Sequence, residues 1–478
     1  MDSNEFRRHG HAMVDWMAEY LDGVEAFPVR SPVRPKEILQ KLPAHPPAEG
    51  EPVARIFDDF KSIILPGVTH WQHPSFFAYF PANVSPPSIL AEMLTACLGL
   101  QCMSWATSPA ATELEERIME WLKEMLGLPR QFAGVIQDTA STATLCALLT
   151  ARERATGFQI NQSGFPPAQR FTTYCSTEAH SSVEKAVKIA GLGREQLRLI
   201  GVDDKYAMRP DLLANAIQGD LALGHRPICV VAAIGTTSST AIDPLKSIGA
   251  ICRKHGIWLH VDAAFAGTAA ILPELRPMLD GVGDADSLVF NPHKWMFTNF
   301  DCSAYFVKEK EALLRTFEIL PEFLKTPEGD RVNNYRDWGI QLGRRFRALK
   351  LWFVIRHYGV RGLQRAIRKH LALAQELVEK ISASKDFELL APVPLNTICF
   401  RYKPAGIEGA EELNRINSEL LERINATGKM YLSHTKLAGA YALRMTIGQT
   451  RVEERHVRAA WELIQRTARA SPPHSSDT

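Results

Sequence analysis

Lys294 lies between two runs, Ser287–Phe290 and Ser303–Val307, whose apolar and β-forming residues read as buried strands. A lysine in a dry site loses its proton at modest pH and becomes a nucleophile toward carbonyls; the plainer alternative is a snorkelling surface lysine. Other reactive types follow other strand-like runs. Asp262 ends Trp258–Val261 and is followed by two alanines. A carboxylate in apolar company needs a cationic partner, either a protonated ring nitrogen or a structural Arg or Lys. Thr139, Ala140 and Ser141 follow Gly134–Gln137 and open an apolar helix. Free N–H groups and the helix dipole make such a start either a phosphate site or an ordinary N-cap. His180 follows Phe171–Cys175 and is either an acid/base or ring-stacking group or a structural histidine. A hydroxyl-rich turn with Thr237, then Asp243, follows Ile228–Ile234.

Read jointly, these residues meet the requirements of one cofactor, pyridoxal 5′-phosphate (PLP). They offer a cradle for its phosphate, a carboxylate for its pyridinium nitrogen, an aromatic group to stack on the ring, and an amine to form its Schiff base. No metal is expected, because the eight cysteines are scattered with no CxxC or other ligand spacing.

The elements that must position these groups alternate. From about residue 133 to 310, short β-rich runs (with Leu197–Ile200 among them) are separated by helical stretches, which predicts an α/β fold with a mostly parallel sheet. Ligands on such sheets sit beyond the carboxyl ends of the strands, where all the residues above fall. Upstream, residues 5–22 carry Phe6, Met13, Trp16, Met17, Tyr20 and Leu21 at helical spacing, and Phe27–Pro52 is too proline-rich for regular structure. That arm packs either on its own body or on a second subunit. Residues 86–128 read as mostly helical, with Thr112–Leu126 stopped by Gly127. Residues 344–358 form a helix with Phe346, Leu349 and Phe353 on one face. The rest, with strands at Thr397–Tyr402 and Tyr441–Ile447, reads as a smaller α+β domain. The expected division is a 1–80 helical arm, an 81–345 large domain and a 346–478 C-terminal domain.

The chain has 478 residues, 46% hydrophobic and 23% charged, with 55 basic and 53 acidic side chains. A net charge of +2 gives no electrostatic reason to expect nucleic acid or an anionic membrane. The first residues contain no long apolar run, so neither a signal peptide nor a membrane span is expected there. Cysteines read as reduced thiols point to the cytoplasm.

HVDAAFAG (260–267), NPHKW (291–295) and FDCSA (300–304), with HSSVEKA (180–186) upstream and GRRFRALKLWF (343–353) downstream, resemble the aromatic L-amino acid decarboxylases. These are group II PLP decarboxylases of the aspartate aminotransferase-like fold type I. The resemblance runs from the N-terminal helix to about residue 465. It implies that Lys294 is the Schiff-base lysine, that Asp262 keeps the pyridine nitrogen protonated, and that Ala264 and His180 pack on opposite faces of the ring. Thr139, Ala140, Ser141, Asn291 and His293 match phosphate and lysine-flanking positions, and Thr237 and Asp243 match further positions close to the cofactor. Trp71, Tyr79, Phe80 and Pro81, in HWQHPSFFAYFP, resemble the aromatic wall of the substrate pocket. Gln101, Cys102 and Met103 lie where the family tunes phenolic against indolic substrates. Family members are domain-swapped homodimers with the active site at the interface.

One position departs from the decarboxylases. Where they carry a Tyr that returns a proton to Cα after CO2 leaves, the segment Leu320–Lys325 (LPEFLK) has Phe323. Without that hydroxyl, the electron-rich species left by CO2 loss persists and can meet O2, giving an aldehyde, ammonia and hydrogen peroxide. Plant aromatic aldehyde synthases resemble this sequence there. Three readings follow. The first is decarboxylation coupled to oxidative deamination of L-Phe, L-Tyr or L-DOPA, with O2 as co-substrate. The second is a plain decarboxylase making the arylalkylamine, and the third is a catalytically dead binding dimer. Ala82, in place of the small hydroxyl residue often seen after Pro81, weakens the case for a catechol.

Overall fold

The computed structural model describes residues 1–319, 328 and 331–470. They form two compact units, one within 82–372 and 391–397, the other 1–81 with 373–390 and 398–470. The helix Arg347–Ser382, with one non-helical residue, Gly359, runs across the division at 372/373. Within that helix the buried stripe is Ala348, Leu351, Val354 and Ile355. Leu349 and Phe353 are half-buried, and the helix starts one residue after the buried Phe346 rather than at residue 344.

The larger unit is built on seven strands: β1 (Ala133–Gln137), β2 (Phe171–Ser176), β3 (Leu197–Ile200), β4 (Arg226–Ala233), β5 (Trp258–Asp262), β6 (Ser287–Phe290) and β7 (Ser303–Val307). Their spatial order is β1-β7-β6-β5-β4-β2-β3. The pairs β2–β3, β2–β4, β4–β5 and β5–β6 are parallel, and β7 runs antiparallel to both β6 and β1. The chain returns from β6 to β7 through one turn of helix, Pro292–Trp295, which keeps that connection on the carboxyl edge. Lys294 sits on this return.

Helices cover the sheet as the alternation requires. Ala140–Ala155 lays Ala143, Ala147, Leu148 and Ala151 in a core with Val231, Trp258, Val289 and Tyr305. Its small residues let the helix lie close to the strands. The helix Pro109–Leu126 begins three residues before its expected acidic start. Ser108 Oγ accepts from the Ala111 amide at 3.3 Å, Pro109 opens the first turn, and Gly127 ends the helix at φ 70°.

In the other unit, β8 (Phe387–Leu389), β9 (Thr397–Tyr402), β10 (Ser433–Leu437) and β11 (Ala440–Thr446) form a sheet in the order β10-β11-β9-β8. The proline-rich arm holds one short helix, Glu37–Lys41, and packs on its own chain. Val29 N–H donates to Gly428 O at 2.8 Å, Phe77 N–H to Tyr431 O at 2.9 Å, and Thr446 N–H to Phe77 O at 2.9 Å. The N-terminal helix Ser3–Gly23 is closed by a capping box between Asp2 and Glu5, yet buries none of its residues.

Candidate active site

Because β1 runs parallel to β6, the ends of β1, β2, β4, β5 and β6 and the start of β7 share one edge. Backbone hydrogen bonds link the turns there. Ile234 N–H donates to Asp262 O, Asn291 N–H to Ala264 O, and Lys294 N–H to Asn291 O, each at 2.9 Å. Two glycines permit the close approach. Gly235 has φ +82°, and a Cβ on it would fall 2.6 Å from that of Ala266; one on Gly267 would fall 2.4 Å from Phe290 Cβ.

Lys294 is half-buried between fully buried neighbours. Trp295 stacks on Phe265 at 4.8 Å and donates its indole N–H to His370 Nδ1 at 2.9 Å, which fixes the helical turn. Asp262 closes β5, with Oδ1 accepting from Ala264 N–H at 3.1 Å, and keeps partial exposure. His180 Nδ1 accepts from the Ser182 amide at 3.2 Å and lies 2.8 Å from Ser182 Oγ. An accepting Nδ1 leaves the ring proton on Nε2. Burial holds the His180 pKa below its ordinary value. The Asp262 carboxylate acts against that shift and the Lys294 ammonium with it, which places all three side chains within electrostatic reach.

At the end of β1, Thr139 caps the Ala140 helix, Oγ1 accepting from Thr142 N–H at 3.4 Å. Ser141 on its first turn is exposed. Ser303 Oγ lies 2.7 Å from Asn291 Oδ1 and 3.2 Å from Asp138 O, tying the lysine turn to the start of that helix. Glu178, raised in pKa by burial, bonds Ser238 beside the exposed Thr237. Ser303, Ser182 and Glu178 were within reach of the sequence, inside or beside quoted motifs. Their contacts depend on strand order and on the antiparallel β7.

Two positions matched to the cofactor turn elsewhere. Asp243 is buried and spends both oxygens on backbone, Oδ1 on Met208 N–H and Oδ2 on Ala233 N–H, each at 2.7 Å; burial pushes its pKa up to about 6. His293 is buried and uses Nδ1 to accept from Cys302 N–H at 2.9 Å; burial, aided by the Lys294 charge, pulls its pKa down to about 3. Both brace the turns that carry the site.

Gln101, Cys102 and Met103 are clasped to the segment after residue 331. Gln101 Oε1 accepts from Arg344 N–H at 2.6 Å, Cys102 N–H donates to Arg344 O at 2.9 Å, and Arg336 N–H donates to Met103 O at 2.9 Å. Trp71, Tyr79, Phe80 and Pro81 belong to the other unit. There Trp71 stacks on Tyr79 at 5.9 Å, the Tyr79 and Tyr431 hydroxyls lie 3.3 Å apart, and Arg444 sits over the Phe80 ring at 4.7 Å. Phe323 and its Leu320–Lys325 segment lie outside the described residues.

The donor set fits PLP: an amine for its carbonyl, a carboxylate for its ring N–H, and a capped helix end for its phosphate. Comparison with known proteins agrees. The Pyridoxal-dependent decarboxylase conserved domain matches residues 35–403, so the chain belongs to that family. It is 45% identical to phenylacetaldehyde synthase of Arabidopsis thaliana, over 98% of this chain and 96% of that protein. It is also 45% identical to aromatic-L-amino-acid decarboxylase of Mus musculus, over 97% of each. The structure of Oryza sativa TDC with PLP and tryptamine superposes with a TM-score of 0.95 at 36% identity, covering 98% of this chain and 99% of that one. The protein is a PLP-dependent carboxy-lyase of the aromatic amino acid decarboxylase family, with fold type I. Among the described residues, no helix is long and apolar enough to cross a membrane.

Proposed function

We propose that this enzyme converts L-Phe, L-Tyr or L-DOPA to the arylacetaldehyde. The balance is amino acid + O2 + H2O → aldehyde + CO2 + NH3 + H2O2. The observation that carries the reading is Phe323, which places a side chain without a donor where decarboxylases carry a tyrosine hydroxyl. Losing one general acid costs about 10²–10⁴-fold in its proton transfer, enough for O2 to compete. The likeness to a phenylacetaldehyde synthase supports it.

In this reading Lys294 supplies the amine that holds PLP, and Asp262 holds a proton on the ring nitrogen. Thr139, Ala140, Ser141 and Asn291 receive the phosphate, with Thr237 alongside. PLP supplies the electron sink that stabilises charge at Cα when CO2 departs. His180 presents its Nε2–H to the cleft as a neutral donor and packs on one ring face, opposite Ala264. The aromatic side chains Trp71, Tyr79 and Phe80, with Pro81, select a flat substrate, and Gln101, Cys102 and Met103 tune its ring. Asp243 and His293 act through the turns that they brace.

The working form is a homodimer in the cytoplasm. An amphipathic N-terminal helix that buries none of its residues supports the dimer, as do Leu90, Met93, Leu94 and Leu98 exposed along the helix Pro86–Leu98. The second reading, a plain decarboxylase releasing the amine, is favoured by the equal identity to the mouse aromatic-L-amino-acid decarboxylase.

The test is incubation with L-Phe in air while oxygen uptake, peroxide, aldehyde and amine are measured. Aldehyde with one O2 consumed per CO2 is expected, and Phe323→Tyr should turn the product toward amine. Amine as the main product without oxygen uptake overturns the aldehyde reading. Absence of any turnover, with no borohydride-sensitive cofactor band, would leave only a binding dimer.

A further inference from the structure

His260 is wholly buried, two residues before Asp262 on β5, so the two side chains share a face of the sheet. Its ring spans two elements. Nδ1 lies 2.8 Å from Oγ of Ser287, its register partner on β6, and Nε2 lies 3.3 Å from Oγ1 of Thr144, one turn into the Ala140 helix. Ser287 Oγ also accepts the Trp258 indole N–H at 2.9 Å, so the histidine is tied into a buried network of side chains. One ring nitrogen of the neutral imidazole donates and the other accepts, so the two hydroxyls hold the ring from both sides. Burial, the largest influence, pulls the His260 pKa down to about 4, so the ring stays neutral in the core. A fully buried polar triad in a core where an aliphatic group would pack is retained for a specific geometry rather than for net stability.

We propose that His260, held between Thr144 and Ser287, is a positioning residue for PLP. It fixes the spacing between the helix end that receives the phosphate and the β5–β6 edge that carries Asp262, Asn291 and Lys294. This rests on the placement of PLP in the preceding section. A cofactor gripped at both ends gains from the second grip only if the two are held at the right separation, as with any pair of linked contacts. A ligand that uses one end alone is indifferent to it. Pyridoxal has the ring and the aldehyde but no phosphate, and so isolates the effect.

Holoenzyme is resolved with hydroxylamine and re-titrated with PLP or with pyridoxal, following the visible band and equilibrium dialysis. Thr144→Val keeps the shape and removes the hydroxyl. It should weaken PLP binding by about 5–10-fold, the size of one neutral hydrogen bond, and leave pyridoxal binding unchanged; Thr144→Ser should restore PLP. Ser287→Ala breaks the tie from the other side and should show the same selectivity for PLP. Equal weakening of both ligands would make the triad ordinary core and overturn the proposal, as would no weakening of either. Failure of the underlying placement reads differently: the unaltered protein would bind pyridoxal as tightly as PLP, or Lys294→Ala would retain borohydride-fixable cofactor.

Discussion

Two acids stand close together at the carboxyl edge, and their surroundings divide them. Asp262 ends β5 with one oxygen on the Ala264 amide and keeps partial exposure. Asp243, ten residues beyond Ala233 at the end of the neighbouring β4, is sealed in with both oxygens on backbone amides. By residue type and motif both matched cofactor positions. A carboxylate whose acceptors are consumed by its own chain is a bracket for a turn, whereas one with capacity left at the mouth of a cleft is available to a ligand. His180 and His293 divide in the same way, the first exposed with only Nδ1 engaged by Ser182, the second buried with Nδ1 on Cys302.

The contrast breaks most visibly at the site itself. Lys294→Ala should abolish cofactor attachment and nearly all turnover; after borohydride reduction, peptide mass mapping should find the cofactor on Lys294 only in the unaltered protein, and turnover near normal would refute the assignment. Asp262→Asn should lower turnover by about 10²-fold or more, the scale of losing one preorganised charge at a reacting centre, with the urea unfolding midpoint scarcely moved. Asp243→Asn should do the reverse. Its amide nitrogen would face a backbone N–H, costing about 1–3 kcal/mol of stability while folded molecules turn over normally. If Asp243→Asn instead loses activity without stability, the two acids have been assigned the wrong way round.

The smallest effect is in acid. His260 and His293 are held neutral, with folded pKa values of about 4 and about 3. Below about pH 6.5 the unfolded chain binds protons that the folded one refuses, so stability falls as pH drops through that window. Asp243 opposes them. With its pKa raised to about 6, the folded chain binds the extra proton between about pH 3.8 and 6, a contribution lost as pH rises. Melting temperature should therefore fall from pH 7 to pH 5, and fall further in Asp243→Asn. Parallel profiles for the two proteins would show that Asp243 does not carry a raised pKa.

Much of this was legible before any coordinates. The alternation from 133 to 310 contains all seven strands of the large sheet, because buried parallel strands demand apolar runs and the crossovers between them demand helices. The residues at the ends of those runs assemble on one edge. Less legible was the face of the helix Arg347–Ser382, where spacing suits several stripes and only the neighbours decide which is buried.

Sequence alone determined the cofactor chemistry, because an amine, an acid, a histidine and a capped helix at successive strand ends have few joint uses. It also determined the missing hydroxyl at Phe323, which is a matter of residue type. Tertiary structure alone decided which of two adjacent acids is open, which tautomer His180 holds, and that the return through Lys294 stays on the reactive edge. Those depend on which backbone groups happen to face a side chain across strands far apart in the chain, and no local pattern encodes that.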